Sequence, residues 1–244
     1  MTELYHQMMA RKDDEQVANL SRFFKTGKGQ YGEGDKFLGI KVPITRQVVK
    51  EYWQTAALDQ LNELITCEYH EIRLCALLTL VQIFKHAKKQ PELQQKCIEF
   101  YLSHTAYINN WDLVDLSCYE LLGNWLLNKD RSILYDLARN GKTIWEQRIG
   151  IVTCLAFVRR DQFDDALALA DILLHHKHDL LHKATGWVLR EVGKHDETRL
   201  RAYLESPASD DEKARYLVMP RTMLRYAIEK FPESVRQAYL HGQV

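Results

Sequence analysis

The chain has 244 residues, long enough for one large domain or two small ones. Hydrophobic residues make up 46% and charged residues 27%, which excludes an intrinsically disordered chain. Lys+Arg and Asp+Glu are both 33, so the formal net charge of zero excludes polyanion binding by bulk charge but leaves room for a local basic groove.

The start, MTELYHQMMARKDDE, has no apolar signal core, and no run of about 18 apolar residues follows anywhere. The expectation is a cytoplasmic protein that does not span a membrane. Cys67, Cys75, Cys97, Cys118 and Cys154 show no CxxC spacing and read as small hydrophobes in a reducing compartment. Five of the eleven glycines fall between Gly27 and Gly39, in KTGKGQYGEGDKFLG, and the next is Gly123. This segment is not a Walker loop, because no GK[ST] follows and no strand precedes it. It carries Lys25, Lys28 and Lys36, with Lys41 just beyond, and reads either as a basic phosphate contact or as a plain surface loop.

Proline occurs only at 43, 91, 207, 220 and 232, and no alternating Val/Ile/Thr runs occur, so the chain is predicted to be mostly helix. Apolar residues recur at three and four from Leu74 through Leu77, Leu78, Val81 and Phe84. Pro91 opens the next helix, Asp130 precedes another that ends before Gly141, Thr143 caps IWEQRIGIVTCLAFV, and Pro220 opens RTMLRYAIEKF. Helices are expected over 70–87, 110–127, 143–159, 180–194 and 219–231, with Trp125 of YELLGNWLLN in the core.

HEIRLCALLTLVQIF from His70 aligns with IWEQRIGIVTCLAFV from Ile144, pairing Arg73 with Arg148. Similar helices start near Asn110, His182 and Val218, a spacing of 34 to 40 residues that matches two-helix solenoid repeats. Such pairs bury their apolar faces only against neighbours. The expected fold is therefore all-α: HEAT-like repeats stacked in a curved α-solenoid, or superhelix, as a single domain over 1–244. Its concave side would carry the second helices. The alternative is an irregular helical bundle.

These second helices combine tryptophan with ionic groups. Trp111 and Asp115 of WDLVD share one helical face, and Trp145 lies three residues before Arg148. Lys183, Trp187, Arg190 and Lys194 step by four, three and four, while Val188, Leu189 and Val192 lie roughly opposite. Each motif reads either as an interhelix cation–π packing pair or as a partner-facing surface, and their recurrence favours the second. His175, His176 and His178 of HHKHD have poor metal-ligand spacing and read as a solvated loop.

Together FFKTGKGQYGEGDKFLGIKVPITR, NNWDLVD, IWEQRIG, LHKATGWVLREVGK and MPRTMLRYAIEKF resemble the DNA alkylation repair family of AlkD-type enzymes, from Phe23 to Phe231. The resemblance implies a HEAT-like superhelix whose concave face holds duplex DNA. It further implies a monofunctional glycosylase that hydrolyses the N-glycosidic bond of cationic purines such as 3-methyladenine and 7-methylguanine, without metal or cofactor. The family's catalytic aspartate falls on Asp115 and its two site tryptophans on Trp111 and Trp187. Its DNA-contacting arginines fall on Arg148 and Arg190, and Lys183, Lys194, Lys28 and Phe23 join the DNA-binding set. Phe23 stands where the best-known members have tyrosine. Ala156 stands where they have a lysine of the DNA face, with Arg159 and Arg160 further on. The expected setting is a monomer in a bacterial-type cytosol, on nucleoid DNA during repair. Two rivals remain: a HEAT-like binder of DNA structure without excision, and a protein-interaction scaffold. Asp115 speaks for the enzyme, because pure backbone binding gains nothing from a carboxylate near phosphates.

Overall fold

Helix borders follow the capping chemistry of the sequence. Thr2 and Asp13 accept backbone N–H groups at the starts of α1 (Glu3–Met9) and α2 (Asp14–Phe23), and Pro43 lies in the first turn of α3 (Val42–Tyr52). Then come α4 (Leu61–Ile65), α5 (His70–His86), α6 (Pro91–Ser103) and α7 (Trp111–Asp115), the last capped by Asn110. After a π-helical turn at Tyr119–Gly123 follow α8 (Ser132–Asn140), α9 (Ile144–Val152) and α10 (Leu155–Val158). The chain continues through α11 (Asp164–Ile172), α12 (Asp179–His195), α13 (Glu197–Glu205), α14 (Arg215–Val218), α15 (Arg221–Ala227) and α16 (Glu233–His241). This computed structural model describes residues 2–208 and 212–244. Among the described residues, strand-like pairing is confined to the isolated bridges Lys36–Tyr69 and Pro207–Ala214. The fold is all-α, of the α-solenoid type expected from the repeats. It divides into two units, Met1–Ser117 and Cys118–Val244.

In the first unit α5 is the centre, buried on nearly every side from His70 to Phe84 and packed by α1, α3, α4 and α6. From Leu74 to Phe84 the helix is apolar on nearly every face and so takes the central place, while its buried polar residues His70, Glu71 and Arg73 cluster in the first turn. Its one buried carboxylate is fully used: Glu71 accepts the N–H groups of Leu38, Gly39 and Ile40 at 2.9 to 3.1 Å. The end of the glycine-rich loop is thereby tied to the core helix.

In the second unit α12 is central and packs against α9, α13 and α15. Its crossing with α15 requires glycine, since a Cβ on Gly186 would lie 2.5 Å from the Met223 carbonyl oxygen. Thr143 caps α9 as expected, accepting from Glu146 N at 3.2 Å. Cys75, Cys97, Cys118 and Cys154 are buried and unbridged, and Cys67 is half-buried.

Three expected helices are broken or shorter. The segment 110–127 ends its first helix at Asp115, where the Ser117 hydroxyl bonds back to the Leu113 carbonyl at 2.5 Å and competes with the backbone ladder. The segment 143–159 divides into α9 and α10 around Thr153–Cys154, and α15 stops at Ala227, short of Pro232. Trp125 is half-buried with Lys129 Nζ 4.2 Å from its ring centre, not in the core. The π-helical turn before it takes up one extra residue, which rotates the following side chains away from the phase the sequence suggests.

Candidate functional site

The WDLVD helix begins at a fixed point. Asn110 is fully buried, and its Oδ1 accepts the Trp111 N–H at 2.9 Å. Trp111 and Asp115 are both half-buried and lie one turn apart on α7. Trp111 stacks on Phe24 with ring centres 5.4 Å apart, and Phe23 meets it edge-on at 5.8 Å. Phe23 is 60% exposed, a large aromatic left in water at the rim of this group.

Beneath the aromatic rim lies a buried charge network that sequence reasoning missed. His70, the first residue of α5, stacks on Phe37 at 4.7 Å and tilts against Phe24 at 4.8 Å. Its Nδ1 lies 3.1 Å from Asp35 and its Nε2 2.9 Å from Asp112, so the protonated ring donates to a carboxylate on each side. Burial alone would lower its pKa, but the Asp112 and Asp35 carboxylates outweigh burial and push it up to about 9. Burial likewise opposes ionisation of Asp35, yet its bonds to His70 and Arg73 hold its carboxyl below the usual range. Arg73 pairs with Asp35, donates to Asn109 at 3.0 Å and reaches the Cys67 and Glu68 carbonyls. The network joins the glycine-rich loop, α5 and the NNWD segment. Its partners are 35 and 42 residues from His70, a separation that no local periodicity encodes.

Lys28 is exposed in that loop, between Lys25 and Gly29, which both adopt positive φ. Among the described residues no carboxylate pairs with it. Lys36, by contrast, is engaged by Glu68 at 2.6 Å.

In the second unit, Trp187 is half-buried on α12 while Val188, Leu189 and Val192 are buried, so the stripe lies away from the core as its spacing predicts. Its cations are not bare. Lys183 pairs with Asp179 at 2.7 Å, Lys194 with Glu191 at 2.8 Å, and Arg190 with Glu229. Arg148 stands apart from this surface: it is 6% exposed, and its Nη1 donates to the Leu180 carbonyl at 2.6 Å. It braces the first turn of α12, so an outward phosphate clamp is not what this conformation offers. Its repeat counterpart Arg73 is equally buried and also donates to backbone carbonyls.

Ala156 is buried, with its Cβ where a Cβ on Gly123 would come within 2.4 Å. Position 156 therefore belongs to the interior and does not present a vacancy on a DNA face. Arg159 and Arg160, both exposed, lie over the Tyr119 ring and on the Ala156 carbonyl. The HHKHD segment is the loop its composition suggests, with His175 and Lys177 exposed, and it also caps α12: His178 Nδ1 accepts the Leu180 N–H at 3.2 Å, and His176 Nδ1 accepts the His178 N–H at 3.0 Å. Burial lowers the pKa of both rings, which keeps the accepting nitrogens unprotonated. Among the described residues no group of His, Cys, Asp and Glu is placed to hold a metal ion, and no helix is long and apolar enough to cross a membrane.

A family model described as DNA alkylation repair enzyme matches residues 4–231. Among solved structures, a chain described as a predicted DNA alkylation repair enzyme from Enterococcus faecalis superposes with a TM-score of 0.66. It is 16% identical, and the match covers 91% of this chain and 97% of that one, so the likeness is one of fold. A search of curated proteins finds no match.

Proposed function

The chain belongs to the DNA alkylation repair enzyme family, and on that premise we propose that it is a monofunctional DNA glycosylase for cationic N3- and N7-alkylpurines in duplex DNA. One observation carries the reading: Asp115 stands one turn from Trp111 on a short helix whose start is fixed by Asn110 and whose Asp112 is held from beneath by His70. That is a carboxylate and an indole presented on a braced support, which is what this chemistry asks for.

The alkylated purine is already a cationic leaving group. When its C1′–N bond breaks, the electron pair goes to the purine and neutralises it, so no strong general acid is needed. What remains is an oxocarbenium-like sugar that water must attack. Asp115 stabilises the developing cation, orients the water and accepts its proton, where ordinary glycosidases need two carboxylates. The Trp111 face offers negative π density to the same cation. Phe23 supplies apolar contact at the rim and no hydroxyl, so any phosphate contact made by a tyrosine there is absent.

Trp187 is a contact surface for DNA on α12. Lys183, Arg190 and Lys194 meet phosphates by exchanging their present partners Asp179, Glu229 and Glu191. Lys28 needs no such exchange. Arg148 acts through α12, which it positions. The reading requires no metal and no cofactor.

The test is release of 7-methylguanine from methylated duplex DNA by the purified protein. Asp115→Asn keeps shape and hydrogen bonding but removes the charge, and release should fall on the order of a hundredfold while duplex affinity holds or rises. Equal rates for wild type and Asp115→Asn would refute this mechanism. Tight duplex binding with no release of 7-methylguanine or 3-methyladenine would put the non-excising binder in its place, and no duplex binding would leave the scaffold.

A further inference from the structure

A cavity of about 380 Å³ opens between two helices of the first unit, away from α7. One wall runs along α3 to its C-terminal cap, where Arg46, Val49, Lys50 and the capping residue Trp53 step by three, one and three and so share a face. The other is a stripe of α5, in which Leu78, Gln82 and His86 step by four. Val49 and Leu78 are buried and make an apolar floor. Trp53 is half-buried and stacks on His86 with ring centres 4.4 Å apart and planes within 26°. The His86 ring is held by its own Nδ1–H, which donates to the Gln82 carbonyl at 2.8 Å.

The charge balance here is unlike that of α12. Arg46 and Lys50 are exposed, and no carboxylate lines the cavity or pairs with either cation among the described residues. Arg131 shows the contrast: in a polar groove of the second unit it is already matched by Asp165 at 2.6 Å. Unmatched cations at a concave site select an anion, and a guanidinium beside an ammonium suits a phosphate. An apolar floor and an aromatic stack add nothing for a bare phosphate, but they bind a planar ring. The volume sits near the small end of the roughly 300–1,000 Å³ usual for ligand sites. Nucleotides are an abundant class of ligand that joins a phosphate to a planar heterocycle.

We propose that this cavity is a nucleotide-binding site, in which Arg46 and Lys50 hold the phosphate and the Trp53–His86 stack holds the base. None of its residues belongs to α7 or α12, so it stands or falls separately from the glycosylase reading. The nucleotide comes either free or as an unpaired unit of a DNA strand, and the two sources share this chemistry.

The experiment measures binding of adenosine 5′-monophosphate, adenosine, inorganic phosphate and a short single-stranded oligodeoxyadenylate to the full chain by calorimetry, with tryptophan fluorescence in parallel. The monophosphate should bind at least about tenfold tighter than either adenosine or phosphate, because both halves of the site are used. Arg46→Gln with Lys50→Gln should remove that advantage without lowering Tm, since both side chains are exposed, and Trp53→Phe should abolish the fluorescence quenching. Tighter binding of the oligonucleotide, lost in the same variants, identifies a DNA strand as the source, and equal or weaker binding identifies the free nucleotide. Absence of monophosphate binding overturns the proposal. So does binding that survives Arg46→Gln with Lys50→Gln, or phosphate that binds as tightly as the monophosphate.

Discussion

Raising the pH from 6.5 to 9 should destabilise the folded chain through one residue. His70 gains a proton affinity on folding that lifts its pKa from 6.5 to about 9, because Asp35 and Asp112 receive its two N–H groups in a buried setting. The native state therefore binds more protons than the unfolded chain throughout that interval, and stability falls as pH rises through it. The full contribution is present below 6.5 and lost above about 9. At 1.36 kcal/mol per unit, a shift of this size corresponds to about 3 kcal/mol. Other shifted groups act outside the window. Burial depresses His176 and His178, whose effect lies below pH 6.5, and raises the Cys75 and Cys97 thiols, whose effect lies above 9. Urea unfolding followed by circular dichroism at a series of pH values measures the slope directly. His70→Gln should be less stable near pH 6.5 and nearly flat across the window. Where that variant does not fold, the wild-type His70 ring can be titrated by NMR. A flat wild-type curve, a slope that survives in His70→Gln, or a ring that titrates near 6.5 would each refute the assignment of charge to this network.

The remaining expectations concern the DNA face and its support. Duplex affinity should weaken steeply with added salt, and Lys28→Ala should reduce the slope of log K against log salt by about one, because each phosphate contact releases counterions; a salt-independent affinity would remove the DNA reading. Trp187→Ala should lower lesion-dependent binding and 7-methylguanine release together, as loss of a contact surface, whereas loss of release alone would make Trp187 part of the chemistry. Arg148→Ala should cost on the order of 1–3 kcal/mol in urea unfolding, since it leaves the Leu180 carbonyl without its buried donor. An unchanged midpoint would return Arg148 to the solvent-facing role that the resemblance implies.

Much of the fold is written locally. Pro91, Asn110, Thr143 and Pro220 mark helix starts through capping and missing N–H groups that act within a few residues. Two of the misreadings are local departures from the regular helical ladder. Ser117 turns the chain back on the Leu113 carbonyl, and the π-helical turn at Tyr119–Gly123 shifts the phase that put Trp125 inside. Neither is visible in apolar periodicity, because both are departures from the period itself.

The candidate site divides along the same line. Trp111 with Asp115, and Lys183 with Trp187, Arg190 and Lys194, follow from helical spacing alone. What spacing cannot state is what each charge meets. Arg190 meets Glu229, 39 residues away, and His70 meets Asp35 and Asp112 from two other parts of the chain. The difference has a functional consequence. A cation already held by a carboxylate adds to phosphate affinity only the excess over its present partner, while its exchange preserves charge balance when DNA leaves. In the proposed reading, the α12 stripe thus favours reversible, geometry-dependent contact over strong attraction. Unmatched cations of the first unit such as Lys28, Arg46 and Lys50 are where added salt should act most strongly.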